Sequence, residues 1–288
     1  MPGAICRPAS GFEYFSNVDT PISAVITGAS SGIGEATAKR LAREPGSELI
    51  LVARREDRLR ALAESLPCRA TPLALDLTEV DAPRRVAGRV SEQLDGRLGL
   101  LVNNAGASWR GSFGEVGYEN VRRHMELNFD AVVRLTEALL PSLRSAAPSS
   151  IVNVASTAGR VARARTGSYS ASKFALIGWT DALYSEERQY GVHVGMVLPG
   201  YIATEGFPAT ELREKALTRW LVSKPERVAD AILEAGPGGR AERYVPRFYA
   251  LPAVARALVP GLVRRVLSGG SAAALTTSTA AEKSESAT

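Results

Sequence analysis

The chain is 288 residues long and 45% hydrophobic, enough to bury one large core, and a single α/β domain of the upper size class accounts for it. Its formal charge of +5 would suit an anionic partner, but the basic residues are scattered among Asp and Glu without a Lys/Arg block, which argues against nucleic acid. Two cysteines, Cys6 and Cys68, and two histidines, His124 and His193, are too few for a disulfide framework or a Cys-based zinc site, so no metal centre is expected.

Residues 1–20 read as an N-terminal extension that carries Pro2, Gly3, Pro8, Gly11, Glu13 and Asp19 and lacks the apolar run of a secretory signal. No later stretch of about 18 apolar residues follows, and a soluble, cytoplasmic protein is expected. Residues 22–27 (ISAVIT) form a short β-branched run that ends in a Gly/Ser cluster, and an Ala-rich helical pattern runs from Ile33 to Arg43. The unit repeats: 48–53 precedes a helix through Leu66, and 72–77 precedes one ending near Leu94. Further strands are expected at 98–103, 150–154 and 192–198, with helical spans at 116–146 and 168–190 between them. A helix opened by Lys224-Pro225-Glu226 and a short strand at 243–248 complete the set. Apolar strands alternating with helices predict a doubly wound parallel sheet with helices on both faces, and chemistry at the carboxyl ends of its strands.

The turn after the first strand is Thr27-Gly28-Ala29-Ser30-Ser31-Gly32-Ile33-Gly34. Glycines there allow a tight turn and close approach of backbone to a pyrophosphate, whose charge is favoured at a helix N-terminus; an ordinary Gly/Ser turn is the plainer reading. About 20 positions on, where an NAD-preferring site carries a carboxylate, stand Ala53, Arg54 and Arg55. A guanidinium bonds a 2′-phosphate in forked geometry, so NADP(H) is the expected cofactor, with Ser30 and Ser31 as added donors. The two arginines could also simply belong to a solvated helix start. Asp76, followed by Leu77, is placed to accept from an adenine amino group or to cap the next helix. Asn103-Asn104-Ala105-Gly106 ends the fourth strand with small residues and amides that let the chain pass close to a cofactor.

Tyr169 and Lys173 stand four apart in a helical segment and therefore on one face, where an ammonium would lower the phenol pKa toward working pH and allow it to donate or accept a proton. Ser156 lies thirteen residues earlier, just past the fifth strand, where its hydroxyl could bond a substrate oxygen or cap a turn. Asn128 sits in a predicted helix interior that disfavours Asn, and holding a water beside Lys173 would explain it.

In order, TGxxxGxG, NNAG, Asn128, Ser156, YxxxK and Pro199-Gly200 resemble the short-chain dehydrogenase/reductase family in its single-domain Rossmann-fold form, over roughly residues 21–235. The resemblance implies a catalytic domain over 21–245 and an active-site tetrad of Asn128, Ser156, Tyr169 and Lys173, with Lys173 also bonding the nicotinamide ribose. It implies that Pro199, Gly200, Ile202 and Thr204 line the nicotinamide, and that the chain forms a homodimer or homotetramer. The expected activity is interconversion of a small-molecule carbonyl and alcohol by hydride transfer. A nicotinamide-binding sensor or partner-docking module without turnover is the alternative.

Residues 205–221 correspond to the family's substrate lid, and Phe207, Leu212, Leu217, Trp220 and Leu221 suggest a lipophilic substrate or ordinary core packing. Arg160, Arg163 and Arg165 could recognise an anionic substrate, although solvated loop charges are the favoured reading. Residues 246–267 form an amphipathic extension with no Asp or Glu, expected to pack against the lid or a sister subunit; peripheral membrane contact is the other reading. Pro252 and Pro260 argue against one unbroken helix there. Residues 268–288 read as a disordered Ser/Thr/Ala/Gly-rich tail.

Overall fold

The structure of the chain, a computed structural model, describes residues 21–205 and 222–268. The predicted N-terminal extension, nearly all of the apolar lid and the tail beyond Ser268 lie outside the described residues.

Among the described residues the strands are β1 Ser23–Thr27, β2 Glu48–Ala53, β3 Arg69–Ala74, β4 Leu100–Asn103, β5 Ser149–Val154, β6 Val192–Pro199, β7 Tyr201–Ile202, β8 Val222–Ser223 and β9 Glu242–Val245; all but the two-residue β7 and β8 fall at or near the apolar runs. Seven of them make one parallel sheet in the order β3-β2-β1-β4-β5-β6-β9, and β7 and β8 pair separately. The strand order reverses at β1, whose Ala24 pairs with Leu49 on one side and Leu100 on the other. A crevice for a ligand is expected outside the carboxyl ends at this switch point.

The helices are α1 Gly32–Leu41, α2 Glu56–Ser65, α3 Ala82–Leu94, α4 Phe113–Met125, α5 Ala131–Ser145, α6 Gly167–Glu187, α7 Pro225–Ala235, α8 Ala250–Leu258 and α9 Pro260–Ser268. Side chains alternate across each strand and feed two cores. Leu49 and Leu51 of β2 join Leu41 of α1 and Ile232 of α7 on one face, while Ile50 joins Val86 and Val90 of α3 and Leu139 of α5 on the other. The predicted doubly wound α/β architecture is what the chain adopts.

Three boundaries differ from expectation. The third strand is Arg69–Ala74 rather than 72–77, because β3 is an edge strand whose first residues are polar, while Leu75 and Leu77 are buried beyond its end. The span 116–146 is two helices joined by a π turn at Glu126–Asp130, and α4 begins earlier, at Phe113, where Glu115 accepts from the Ser112 N–H at 3.0 Å. The last strand stops at Val245, since Pro246 has no N–H to extend the ladder. A 3₁₀ turn, Arg247–Tyr249, follows, and then α8 and α9 break at Pro260, as the prolines predicted. Neither α8 nor α9 has a buried residue, so the apolar stripe is not packed against the rest of the chain among the described residues.

Candidate active site

The crevice is built first by Thr27. Its hydroxyl donates to Val102 O at 3.2 Å and accepts the N–H groups of Asn104 and Ala105 at 2.9 and 3.0 Å, which ties the ends of β1 and β4 together. Asn104 Nδ2 returns a bond to Thr27 O at 2.9 Å. Gly28 then turns the chain at φ 66°, a conformation that side chains resist. A Cβ on Gly34 would stand 2.2 Å from Gly28 O, so the first turn of α1 can close onto the loop only with glycine there. Ile33 packs against the core on the α1 side. Thr204 stands over the same turn, with its methyl 3.0 Å from where a Cβ of Gly32 would be.

An anion cradle adjoins the turn. Ser31 occupies the N-cap of α1 but makes no capping bond with its side chain; its hydroxyl accepts from Arg55 Nη2 at 2.7 Å instead. Arg55 also donates to Ser30 Oγ at 3.2 Å and to the Glu205 carboxylate at 3.3 Å. Arg58, one turn further along α2, donates to the same Glu205 oxygen at 2.6 Å. The sequence reading missed Arg58 and Glu205, which lie 147 residues apart; the i,i+3 spacing of Arg55 and Arg58 is the only local signal. Arg54 turns away from this cradle toward Asp76, 3.7 Å distant.

Asp76 does not cap α3, whose N-cap is Asp81; its Oδ1 accepts the Thr78 N–H and hydroxyl at 2.9 and 2.8 Å. Partial burial pushes its pKa up, but the Thr78 donors and the Arg54 guanidinium outweigh that and hold the carboxyl below its ordinary value. Leu77 is buried in the core under α3.

Across the crevice, α6 brings Tyr169 and Lys173 onto one face. Lys173 is 4% exposed, its Nζ donates to Val154 O at 2.9 Å, and burial pulls its pKa to about 8. The ammonium stands 6.0 Å from the Tyr169 ring centroid. Tyr169 departs from expectation: removal from water pushes its pKa up, against the lowering effects of a hydrogen bond with Ser156 and of the Arg110 and Arg163 charges. The phenol is therefore neutral at neutral pH. Desolvation is the larger effect here.

Of its two predicted uses, Ser156 shows the capping one. Its hydroxyl accepts from Ala158 N at 3.1 Å, capping a short 3₁₀ turn, and bonds the Tyr169 side chain. Asn128 lies in the π turn with no exposed surface. Its Oδ1 accepts Ala107 N–H at 2.9 Å, and Nδ2 donates to Ala107 O at 3.0 Å and to Ser172 Oγ at 3.1 Å. Its amide donors are thus committed to locking the strand-end loop onto α6. Gly106 lies between Asn128 and Lys173: a Cβ there would be 3.0 Å from Asn128 Oδ1 and 3.6 Å from Lys173 Nζ.

The loop after β6 closes the site. Gly200 donates to Val245 O at 2.9 Å, and the Tyr249 ring lies flat where any side chain at 200 would be. Ile202 is buried in β7, which pairs with β8. His124, considered in the sequence only as a metal ligand, is fully buried with its ring 6.1 Å from that of Tyr169. The Trp109 N–H donates to its Nε2 at 3.0 Å, which fixes the proton on Nδ1, 2.7 Å from Asn120 O; burial lowers its pKa and keeps it neutral. Of the three loop arginines, Arg160 pairs with Glu242 at 2.7 Å and Arg165 with Glu115 at 3.0 Å, while Arg163 bonds the Tyr201 hydroxyl.

The chain is similar to several known proteins. The ketoacyl reductase HetN of Nostoc sp. is 32% identical over 213 residues, 73% of this chain and 74% of that protein. Dehydrogenase/reductase SDR family member 7B of Xenopus laevis is 36% identical over 189 residues, a match that spans only 58% of that relative's length. A crystal structure of a short chain dehydrogenase from Burkholderia cenocepacia, in complex with NADP, superimposes with a TM-score of 0.73 at 27% identity, covering 86% of this chain and 97% of that one. The family model for short chain dehydrogenases matches residues 23–215, and the chain belongs to that family.

Proposed function

We propose that this protein is an NADP(H)-dependent oxidoreductase that interconverts a small-molecule carbonyl and an alcohol, with Tyr169 as the proton donor and acceptor. The observation that carries the reading is the hydrogen-bonded Tyr169–Ser156 pair on the rim of a crevice whose floor holds the buried Lys173.

The residues fit a dinucleotide on two grounds. Gly34 lets the first turn of α1 close onto the Gly28 backbone, and the N-terminus of α1 beside that turn is where a pyrophosphate is favoured. The cradle of Ser30, Ser31, Arg55 and Arg58 already accommodates an anion, the Glu205 carboxylate, and would take a 2′-phosphate by the same charge-assisted bonds. Gly28, Gly32, Ile33, Asn104, Ala105 and Gly106 would shape the path between them, Asp76 and Leu77 the adenine end, and Pro199, Gly200, Ile202 and Thr204 the nicotinamide end. Arg54, engaged with Asp76, would sit at the margin. The bound nicotinamide supplies the hydride.

The chain's own residues manage the proton and the orientation. Ser156 bonds the substrate oxygen and presents it to Tyr169. Tyr169, protonated at neutral pH, delivers the phenolic proton to that oxygen as it gains charge, and the reverse reaction returns the proton to the phenolate. Lys173 places a cation behind the phenol, and Asn128 fixes the loop at Ala107 against α6. The site is tested by screening aldehydes, ketones, steroids and 3-oxoacyl substrates with NADPH and NADH in parallel. Turnover with NADPH at a higher kcat/KM than with NADH supports the reading; binding of NADPH without turnover across the panel favours a sensor.

A further inference from the structure

The pair α8–α9 carries the largest set of exposed apolar side chains on the described surface. Leu251 is 70% exposed, Val254 54%, Leu258 75%, Val259 47%, Leu262 59% and Val266 63%. They are not scattered. Leu251, Val254 and Leu258 follow a three-then-four spacing and form one stripe on α8, with Arg256 on the opposite side. Leu262 and Val266 stand four apart on α9, again with Arg264 away from the stripe.

The charge on this segment is of one sign. Residues 246–268 contain Arg247, Arg256, Arg264 and Arg265 and no Asp or Glu. Elsewhere many surface arginines pair with carboxylates, as Arg58 does with Glu205, Arg60 with Glu56 and Arg85 with Glu79. Among the described residues, none of these four arginines forms such a pair. A second copy of the chain is a poor occupant, because a two-fold interface would set this unbalanced cationic patch against itself.

We infer that α8 and α9 form a docking surface for an anionic lipid bilayer, with the leucine and valine stripe at the acyl boundary and the arginines among the headgroup phosphates. The surface begins one residue after Tyr249, whose ring packs on Gly200 at the edge of the active-site crevice, so docking would hold that edge close to the membrane plane.

The test uses the full chain and sedimentation with sucrose-loaded vesicles of phosphatidylcholine, with and without phosphatidylglycerol. Each arginine near an anionic surface strengthens partitioning by about fivefold, so binding to the anionic vesicles should exceed that to neutral ones by well over tenfold. Reversing Arg256, Arg264 and Arg265 to Glu should abolish that excess, and Leu251→Asp with Leu258→Asp should abolish binding. All five positions lack buried side chains, and the fold should survive; circular dichroism checks this. Equal binding to both vesicle types, or none by the unaltered chain, would overturn the inference. So would a dimer that Leu251→Asp with Leu258→Asp dissociates, seen without vesicle binding, since a second copy would then cover the stripe.

Discussion

Lys173 makes the protein's stability depend on pH in a way that can be worked out from its burial. Lys173 is 4% exposed and its ammonium donates to the Val154 carbonyl at 2.9 Å. Burial lowers its pKa from the ordinary 10.5 to about 8. Between those values the unfolded chain holds a proton that the folded chain has released, so stability rises with pH across the window and is lost as pH falls through about 8. At about 1.4 kcal/mol per pH unit the full effect is roughly 3 kcal/mol. Tyr169 acts in the opposite sense: its raised pKa costs stability only as pH climbs past the ordinary 10.0, outside most of the window. Lys173→Met keeps the length of the side chain and removes the charge. Urea unfolding of both proteins without cofactor, between about pH 7 and pH 10, should find the variant more stable at the low end. Its advantage should shrink by about 1.4 kcal/mol per unit above pH 8. Parallel stability curves for the two proteins would refute the burial argument.

Gly34→Ala, whose methyl would meet Gly28 O at 2.2 Å, should destabilise by about 1–3 kcal/mol and abolish NADPH binding. Gly88→Ala, in α3 with nothing within 4 Å, should stabilise by about 0.5–1 kcal/mol; thermal melts of both glycine variants check these two shifts. Asn128→Leu leaves the Ala107 N–H and C=O without their partner in a buried site and should cost about 2–4 kcal/mol in urea unfolding. Arg55→Ala combined with Arg58→Ala should weaken NADPH binding at least tenfold while NADH binding changes little, and Glu205→Gln should strengthen NADPH binding by freeing the cradle. Fluorescence titration with both nucleotides reads these effects, and equal changes for NADPH and NADH would contradict the phosphate assignment.

The sheet was legible because its strands are buried on both faces and so appear as short apolar runs between glycine turns. β3 was displaced because burial continues through Leu75 and Leu77 after its ladder has ended, and an apolar run records burial rather than hydrogen bonding. The crevice residues that lie within one loop or one helical turn, such as Ser30 with Ser31 and Tyr169 with Lys173, could be grouped from spacing alone. Arg58 with Glu205 and His124 with Tyr169 could not, since only the folded sheet brings them together. Asn128 left a trace as a poor helix former inside a helical pattern; the π turn that accommodates it depends on bonds to Ala107 and Ser172 from other elements. The direction of the Tyr169 pKa was misjudged from a neighbouring charge because desolvation, the larger effect, is a property of packing.

The most direct test of the central claim is the rate of NADPH-dependent carbonyl reduction by Tyr169→Phe, measured at saturating cofactor on whichever substrate the unaltered chain turns over. Phenylalanine keeps the ring against His124 and removes only the hydroxyl that bonds Ser156. A fall in kcat of about 10²–10⁴-fold with NADPH affinity unchanged is the expected result for a lost general acid. A kcat within a few-fold of the unaltered protein's would contradict the assignment of the proton to Tyr169.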